Sequence, residues 1–323
     1  MKLIPAKAVI VRHIRYTYAC RDCEKNNTVV PVIKAPVPEP VIKGSFASPE
    51  AVAHIITQKF VMATPLYRQE QEWSRQGIVL SRQTMSNWLI RCAQDWLEPI
   101  YNKVWKGCLH ADGYAGYHSL EKHGNITIIG CLAHARRKFD EALKAMPEKA
   151  REGSAAFTGK RYIDRLFEIE RNIKNLTFED KHTERLKRAK PVLEAFFVWL
   201  NSDEYTKGAL GKAVSYTLDQ WKYLERYLLD GRLEISNNRA ERSIKPFVIG
   251  RKNFLFANTP KGAKASAIIY SIVETAKECG VDPFAYLTYV FKTAPNGNFH
   301  DIPLLLDSLM PWNLRKLSLS HPR

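Results

Sequence analysis

The sequence predicts a mixed α/β protein that is predominantly helical, and three observations predict this class. Apolar side chains recur at helical spacing through most of residues 138–229. Two short apolar runs, one ending at Asp112 and one at residues 125–131, have the length and composition of strands. Residues 48–102 contain three further helical patterns, separated by a glycine and by capping residues.

The composition indicates a nucleic-acid-binding protein. The chain has 323 residues, enough to bury a sizeable core and to form two or three domains. It contains 49 Lys and Arg residues against 33 Asp and Glu, and the net charge of +16 makes polyanions, above all DNA or RNA, its expected partners. No apolar run is long enough to span a membrane, and the first residues lack the pattern of a signal peptide. Six scattered cysteines are typical of a reduced protein, so we expect a cytoplasmic location without a membrane role.

The first 34 residues carry a cysteine pair. Residues 1–34 alternate apolar and polar positions, which predicts a strand or hairpin, and they contain Cys20 and Cys23. A C-x2-C pair supplies half of a tetrahedral zinc site. His13 is the only histidine close to it. The pair is therefore either a Zn²⁺ half-site or two ordinary thiols in a small turn.

A linker leads into the first helical region. Residues 35–47 include three prolines at alternate positions, which favour an extended, semi-rigid chain. Ser48 then supplies an N-cap and Pro49 the first helical position, which predicts a helix through about Val61.

Residues 48–102 are predicted to form a helix-turn-helix region. A second helix is expected from Leu66 to Gln76 and ends at Gly77, and Ser81 caps a third helix from Arg82 to Trp96. In such a unit, residues near the start of the last helix contact base edges in the major groove. The alternative is a plain helical bundle with solvated polar residues. The predicted DNA-contacting side chains are Arg82, Gln83 and Asn87.

Asp112 follows the first predicted strand of the next region. Asp112 and Gly113 form either a functional strand end or a simple Asp-Gly turn. After the second strand, a helix begins at His134, which is either a ligand or general base or a satisfied structural residue. The three cations that follow can grip phosphate or form a solvated face; they are Arg136, Arg137 and Lys138.

A second candidate acid, Glu241, lies after the long helical block. It stands on a short predicted helix that Pro246 is expected to end, followed by an extended, basic stretch at residues 248–257. Two amphipathic helices are expected at residues 263–279 and 283–291. The tail, residues 296–323, has a loop-like pattern. Its Leu304-Leu305-Leu306 and Pro311-Trp312 segments are expected to dock on the body.

Asp112 and Glu241 are candidates for metal-dependent phosphoryl transfer. That chemistry needs carboxylates that hold two magnesium ions about 4 Å apart. Glu241 has a second interpretation, because with Asn238 as N-cap it would occupy the third helical position and complete a capping box. The local pattern alone leaves both interpretations open.

The motifs together resemble the IS66 family of bacterial insertion-sequence transposases. The matching segments occur in the family's order along most of the chain. They are Ile4-Pro5-Ala6-Lys7, Tyr18-Ala19-Cys20, Pro65-Leu66-Tyr67-Arg68-Gln69-Glu70, Leu80-Ser81-Arg82-Gln83-Thr84, Asp112-Gly113-Tyr114-Ala115-Gly116-Tyr117, Ala133-His134-Ala135-Arg136-Arg137-Lys138-Phe139, Asn237-Asn238 with Glu241-Arg242, Gly250-Arg251-Lys252-Asn253 and Gly280-Val281-Asp282-Pro283.

The resemblance implies a DDE transposase, which cuts and rejoins DNA ends with Mg²⁺ or Mn²⁺. It implies a ribonuclease-H-like catalytic core at residues 103–137 and 230–295, interrupted by a helical insertion at 138–229. Asp112 matches the second catalytic aspartate and Glu241 the catalytic glutamate, both expected to hold metal. The expected partners are the double-stranded terminal inverted repeats of an insertion sequence in the bacterial nucleoid, and the chain itself or a full-length transposase. Further predicted DNA contacts are Arg239, Arg242, Lys245, Arg251 and Lys252.

Two departures from the family pattern indicate a shortened copy with an incomplete core. The family's zinc segment begins with an earlier cysteine pair, which would precede Cys20. The family's first catalytic aspartate stands in an Asp-Glu-Thr motif before the Asp112 segment, and this motif is absent from the whole sequence. Asp95 is the nearest upstream aspartate and lies within a predicted helix. We therefore expect impaired catalysis or, as the alternative, an inactive DNA-binding remnant that occupies element ends or associates with intact transposase.

Overall fold

The chain divides into two compact units. The computed structural model describes residues 8–26, 32–104, 107–123, 126–202, 205, 207–254, 257–297 and 303–316. The first unit comprises Met1–Val104 and Lys245–Arg323, and the second comprises Trp105–Ile244. No helix in the described ranges is long and apolar enough to cross a membrane. The Ile4-Pro5-Ala6-Lys7 segment, Asn125 of the second predicted strand and residues 317–323 of the tail lie outside the described residues.

The first unit begins with a small hairpin. Strands β1 (Thr17–Ala19) and β2 (Val32–Lys34) pair antiparallel, with Tyr18 opposite Ile33, and helix α1 (Arg21–Lys25) lies between them in sequence. This confirms the predicted hairpin. The predicted linker extends from it, but its end already belongs to the helical core, because Val41 is buried and its carbonyl accepts a hydrogen bond from Trp96 Nε1 at 2.8 Å.

Four helices follow, and the predicted caps explain where they start. The Ser48 side chain accepts a hydrogen bond from Ala51 N, and the Ser81 side chain accepts one from Thr84 N. Gly77 has a φ of 78°, so it provides the left-handed turn expected of it. The third helix was predicted to end near Trp96, but α4, the π-helical turn and α5 follow one another without a break to Val104. Leu97 and Ile100, beyond the predicted end, are buried. The elements are α2 (Pro49–Phe60), α3 (Leu66–Arg75), α4 (Arg82–Cys92), a π-helical turn (Ala93–Leu97) and α5 (Glu98–Val104).

The second unit contains a two-stranded parallel sheet among helices. Strands β3 (Gly107–His110) and β4 (Ile126–Ile129) pair in parallel, with Leu109 opposite Ile128. Both strands end earlier than predicted, which places Asp112 in the loop after β3. The helices are α6 (Ala115–His118), α7 (Leu132–Lys144), α8 (Ala155–Asn172), α9 (Phe178–Glu184), a π-helical turn (Arg185–Ala189), α10 (Lys190–Leu200), α11 (Gly208–Asp219) and α12 (Trp221–Leu224), with 3₁₀ turns at Ser119–His123, Glu148–Ala150 and Glu225–Leu229.

The core of the second unit confirms the helical spacing noted in the sequence. Ile129 of β4 and Phe139 of α7 are buried together with apolar side chains of the helices that follow. Phe196 and Tyr227 of this block fill the core, as the sequence predicted, whereas Phe197 is 41% exposed. The buried helical side chains include Leu166, Ile169, Ile173, Leu193, Phe196, Leu200 and Tyr227.

Helix α13 (Asn238–Phe254) corrects the prediction for residues 246–257. Pro246 lies inside the helix and does not end it, and the stretch from residue 248 to Phe254 is helical and not extended. Proline removes one backbone donor, and Arg242, four residues earlier, is exposed, so water can solvate the carbonyl that loses its partner. The N–H of Phe247 donates to the hydroxyl of Tyr270 at 2.9 Å, which satisfies the next donor.

The last elements complete the core of the first unit. Leu306 packs against the core and Pro311 is buried, as expected of the two docking segments, and Leu309 and Met310 between them are buried too. Leu304 is 78% exposed and Trp312 is 46% exposed, so the docking prediction was wrong for these two residues. The loop-like prediction for the tail was also wrong, because one helical turn places the apolar residues that dock on the same side. The elements are α14 (Pro260–Glu278), α15 (Pro283–Thr293), a 3₁₀ turn (Ala294–Asn296), α16 (Pro303–Ser308) and a 3₁₀ turn (Pro311–Lys316).

Candidate functional site

Asp112 lies in a tight turn directly after β3. Its Oδ1 accepts a hydrogen bond from Tyr114 N at 3.1 Å, which is the Asp-Gly turn that the sequence allowed. Gly113 adopts a φ of 89°. The Asp112 side chain is exposed, so its carboxylate remains accessible while one oxygen fixes the turn.

Helix α11 of the helical block holds this turn in place. The hydroxyl of Tyr216 donates to the backbone carbonyl of Asp112 at 2.8 Å. A Cβ on Gly113 would lie 2.9 Å from the end of the Gln220 side chain, which would have to move, and the positive φ of Gly113 by itself favours glycine. Burial, with smaller contributions from Cys131 and Asp112, raises the pKa of Tyr216 to about 12. Tyr216 is therefore a neutral donor at physiological pH.

The segment before Glu241 is docked on the start of α7. Leu132 N donates to the Ile235 carbonyl at 3.1 Å, and Asn237 N donates to Cys131 Sγ at 3.4 Å. Asn237 is buried, and its carbonyl accepts a hydrogen bond from Glu241 N at 3.0 Å. The first residue of α13 is Asn238, which makes Glu241 its fourth residue, one position beyond the place that a capping box requires.

The Glu241 carboxylate faces α7. Its Oε1 lies 3.5 Å from His134 Nε2, which forms an ion pair when the imidazole is protonated. His134 Nδ1 is buried and has no hydrogen-bond partner among the described residues. Burial raises the pKa of the neighbouring Cys131 thiol, to which Glu241 adds a smaller electrostatic contribution in the same direction. His134 and Cys131 therefore lie next to the Glu241 side chain on the side of α7.

These contacts bring the two candidate acids to one neighbourhood. The Tyr216 hydroxyl contacts the Asp112 backbone, and Glu241 contacts His134 in the first turn of α7, the helix that Cys131 precedes. Asp112 and Cys131 also contribute to the raised pKa of Tyr216, and Glu241 contributes to the raised pKa of Cys131. No group of three His, Cys, Asp or Glu side chains placed to hold a metal ion occurs within the described ranges. The donors present there do not form a complete site for two divalent ions. Sequence reasoning missed Tyr216, because it belongs to a helical block without any local catalytic pattern.

The predicted DNA-contacting residues of α4 lie on its exposed surface. Gln83 Nε2 donates to Asn87 Oδ1 at 3.0 Å, so the two amides are already oriented together. The Arg82 guanidinium lies 5.9 Å from the centre of the Tyr67 ring, and Arg82 N donates to Glu70 Oε1 at 3.0 Å. This arrangement leaves the amide edges of Gln83 and Asn87 available to a base edge.

The three cations of α7 differ in their partners. Arg136 Nε lies 2.5 Å from Asp164 Oδ1, and Lys160 lies 2.6 Å from the other oxygen of the same carboxylate. Lys138 lies 3.4 Å from Glu141. Arg137 is exposed, so it is the cation of this group that is best placed to contact phosphate.

Helix α13 is strongly basic. Its five candidate cations are all exposed, and Arg239 Nη1 lies 3.4 Å from Glu234 Oε1. Exposed cations on one helix provide the electrostatic attraction that a phosphate backbone requires. They are Arg239, Arg242, Lys245, Arg251 and Lys252.

The cysteine pair lies in the turn of the hairpin. Cys20 directly precedes α1 and Cys23 lies within it. Hydrogen bonds from the backbone N–H and side chain of Cys23, and from the backbone of Asp22, lower the pKa of the Cys20 thiol. A structural zinc site needs four such ligands, so the assignment of this pair as a Zn²⁺ half-site stays a prediction.

Comparisons with known proteins identify the family. A family described as "Transposase IS66 family" matches residues 44–106 and 102–265, and one described as "IS66 C-terminal element" matches residues 271–312. Three proteins of Sinorhizobium fredii (strain NBRC 101917 / NGR234) are similar to this chain. "Uncharacterized protein y4jD" is 30% identical over 393 positions, covering 97% of this chain and 74% of the relative. "Uncharacterized protein y4hP" and "Uncharacterized protein y4qI" are 25% and 24% identical, each covering 98% of this chain and 70% of the relative.

The alignments also show a shortfall within the chain. Because 97% of its 323 residues is about 313, about 80 of the 393 positions aligned with y4jD have a residue in the relative and none here. The two parts of the IS66 family match meet at residues 102–106, directly before β3. No solved structure matches the chain. From the two family matches and the similarity to y4jD, we conclude that the chain belongs to the IS66 family of transposases.

Proposed function

We propose that this chain binds the ends of an insertion sequence as an IS66-type transposase whose metal-dependent cleavage and strand transfer are impaired. The observation that carries the proposal is the convergence of Asp112 and Glu241 on the surroundings of Cys131 and Tyr216. Asp112 follows a parallel strand and Glu241 begins a helix, which supports a ribonuclease-H-like core at residues 103–137 and 230–295. The domain limits predicted from the sequence form part of this proposal.

DNA binding is supported by charge and by the placement of polar side chains. The net charge of +16 favours a polyanionic partner. Exposed Arg137 and the cations of α13 are suited to phosphate contacts, whereas Gln83 and Asn87 can hydrogen bond with the edge of adenine. In this proposal α3 and α4 form the helix-turn-helix, and the bound DNA is a terminal inverted repeat in the nucleoid.

Impaired catalysis is supported by the number of acids and by the internal shortfall. Two-metal transfer with Mg²⁺ or Mn²⁺ requires carboxylates that hold both ions, and Asp112 and Glu241 alone are too few. The Asp-Glu-Thr motif is absent from the sequence, and the break in the family match lies where that motif was expected. The residues present can position the two acids, because Tyr216 holds the Asp112 turn and His134 orients Glu241.

The same observations favour one second candidate function. In it the chain carries out no chemistry and acts as a DNA-binding remnant that occupies element ends or associates with an intact transposase. The two candidates differ only in whether residual cleavage remains.

Binding to labelled end DNA, at four salt concentrations and against a scrambled duplex, tests the proposal. We expect a preference for end DNA and an affinity that falls steeply with salt, because each phosphate contact contributes about 0.9 to the logarithmic slope. Equal affinity for both duplexes would remove the assignment to element ends. A flat salt dependence would remove the phosphate contacts.

A further inference from the structure

Strand β3 has an outer edge without a described hydrogen-bond partner in its own unit. Ala111 N, just after β3, donates to the Ile129 carbonyl at 3.0 Å, so the backbone groups of Leu109 and Ala111 face β4. Backbone groups of successive residues point to opposite sides of a strand, so those of Cys108 and His110 point away from β4. Among the described residues of the second unit, β3 pairs with β4 alone.

The opposite edge of this sheet is closed. The Ile128 carbonyl accepts a hydrogen bond from Arg226 Nη1 at 2.8 Å, and Ile128 N donates to Glu121 Oε1 at 3.4 Å. Gly130 N donates to the Tyr223 carbonyl at 2.8 Å. Glu121 and the helical block therefore satisfy the outer edge of β4, and the two edges of this sheet differ in this respect.

We place the additional chain of the relatives at the start of β3, because the family match is interrupted there. The family match breaks at residues 102–106, and y4jD has about 80 aligned positions that this chain lacks. Strands that follow one another along a chain are usually neighbours in a sheet. A strand in the additional segment would thus be expected beside β3.

The small core on one face of the sheet also indicates a missing neighbour. Among the residues that the structure describes, the buried cluster on that face consists of Ala111, Ile128 and Tyr223, and Leu109, which pairs with Ile128, is half-buried. A two-stranded sheet is marginally stable without further strands or covering helices. Gly107–His110 contains neither proline nor lysine, the residues that commonly protect an edge strand from pairing.

We propose that the outer edge of β3 accepts a strand from an intact IS66 transposase chain, supplied by the segment that the relatives carry and this chain lacks. The N–H and C=O groups of Cys108 and His110 hydrogen bond to the added strand, as in other cases of strand addition. The inference deepens the proposed function and rests on it for the partner, an intact transposase at the same element ends. Its occupant is a strand of that partner, and a second copy of this chain is the competing occupant.

Amide exchange at the β3 edge tests this directly. The chain is labelled with ¹⁵N-cysteine and ¹⁵N-histidine and mixed with unlabelled y4jD protein. We expect exchange of the Cys108 and His110 amides to slow at least tenfold. Unlabelled copies of this chain, which lack the segment, are the matched control and should cause no slowing.

Two variants of one residue separate edge pairing from other contacts. Cys108→Pro removes an outward N–H and should weaken binding of y4jD at least tenfold, whereas Cys108→Val keeps the N–H and should bind like the wild type. Each preparation is also tested for end-DNA binding, which measures the proposed function separately.

Four results would overturn the inference. The first is slow exchange of the Cys108 and His110 amides in the free chain, and the second is slower exchange of these amides when unlabelled copies of this chain are added. The third is unchanged exchange when y4jD is added. The fourth is a folded Cys108→Pro variant that binds y4jD as tightly as the wild type does. If end-DNA binding persists while any of these occurs, the strand inference fails and the proposed function stands. If the wild-type chain does not bind end DNA, the proposed function is wrong, whatever the exchange experiment shows.

Discussion

Replacing Arg185 with methionine is expected to destabilise the second unit by about 3 kcal/mol. The Arg185 side chain is 3% exposed and uses all five of its N–H donors. Two donors bind the carboxylate of Glu170, both at 2.8 Å, and three bind the carbonyls of Tyr227, Asp230 and Leu233 at 2.7–3.0 Å. Arg185 therefore fixes the chain segment that leads towards Glu241.

The magnitude follows from what the substitution leaves behind. Removing one partner of a buried ion pair costs about 3–5 kcal/mol, because the other charge remains buried without compensation. The side chain of Glu170 is 16% exposed, which lets water reach it and favours the lower end of this range. Methionine preserves most of the aliphatic volume, so the loss reports on the polar contacts and not on a cavity.

The change in the free energy of unfolding is measured by urea unfolding of the full chain, in which hydrogen exchange of peptides from residues 155–200 reports on the second unit. Arg188→Met is the matched control, since Arg188 lies on the same helical turn and pairs with Glu184 at 3.6 Å on the surface. It should change the free energy of unfolding by less than about 0.5 kcal/mol. The double variant Arg185→Met with Glu170→Leu should recover at least half of the loss. A loss below about 1 kcal/mol for Arg185→Met would show that the buried pair and its hydrogen bonds contribute little to stability.

Three further predictions concern DNA binding and pH. Gln83→Ala and Asn87→Ala should each reduce discrimination between end DNA and scrambled DNA by about 1–3 kcal/mol, because base-edge hydrogen bonds are lost, as competition binding will show. Arg137→Ala should reduce the logarithmic salt slope by about 0.9, whereas Arg136→Ala should change it less because Asp164 already neutralises that side chain. Glu121 has a pKa below its usual value: burial, the largest cause, raises it, but hydrogen bonds from Arg226 and Ile128 outweigh burial. Ionised Glu121 therefore stabilises the fold at pH values above the pKa that it has in the unfolded chain. Glu121→Gln should destabilise the protein at pH 7, and this difference from the wild type should disappear as the pH falls through the lowered pKa of the folded state, as unfolding at several pH values will show.

Each of these predictions has an outcome that contradicts it. Equal losses of affinity for end and scrambled DNA in the α4 variants would mean that these amides do not contact bases. A larger change of salt slope for Arg136→Ala than for Arg137→Ala would contradict the assigned ion pair. A destabilisation by Glu121→Gln that stays constant from pH 7 to pH 3 would show that its charge does not contribute.

Local signals made much of the fold predictable. Ser48, Gly77 and Ser81 determine helix ends through bonds with their own neighbours, so the sequence was sufficient to place them. Pro246 was misleading because its effect depends on surroundings: an exposed face and a hydroxyl from Tyr270 allow the helix to continue. The tail was misjudged for a related reason, since the side of a short helix that becomes buried depends on the rest of the core.

The candidate site was predictable only in part. The motifs around Asp112 and Glu241 identified two acids, but local spacing could not separate either from a turn or a cap. The Asp112 turn is indeed present, and a tertiary contact with Tyr216, 104 residues away in the chain, is added to it. Such contacts depend on packing between elements, and no pattern in the sequence of α11 predicts them.

Whether metal-dependent catalysis is impaired can be measured as strand cleavage of end DNA with Mg²⁺ or Mn²⁺. The wild-type chain, Asp112→Asn and Glu241→Gln are incubated with labelled inverted-repeat DNA, and the y4jD protein is assayed in parallel. We expect salt-dependent binding by all three chains, with wild-type cleavage no more than about tenfold above that of the two variants. This expectation would be contradicted by metal-dependent nicking and joining in the wild type that either substitution abolishes.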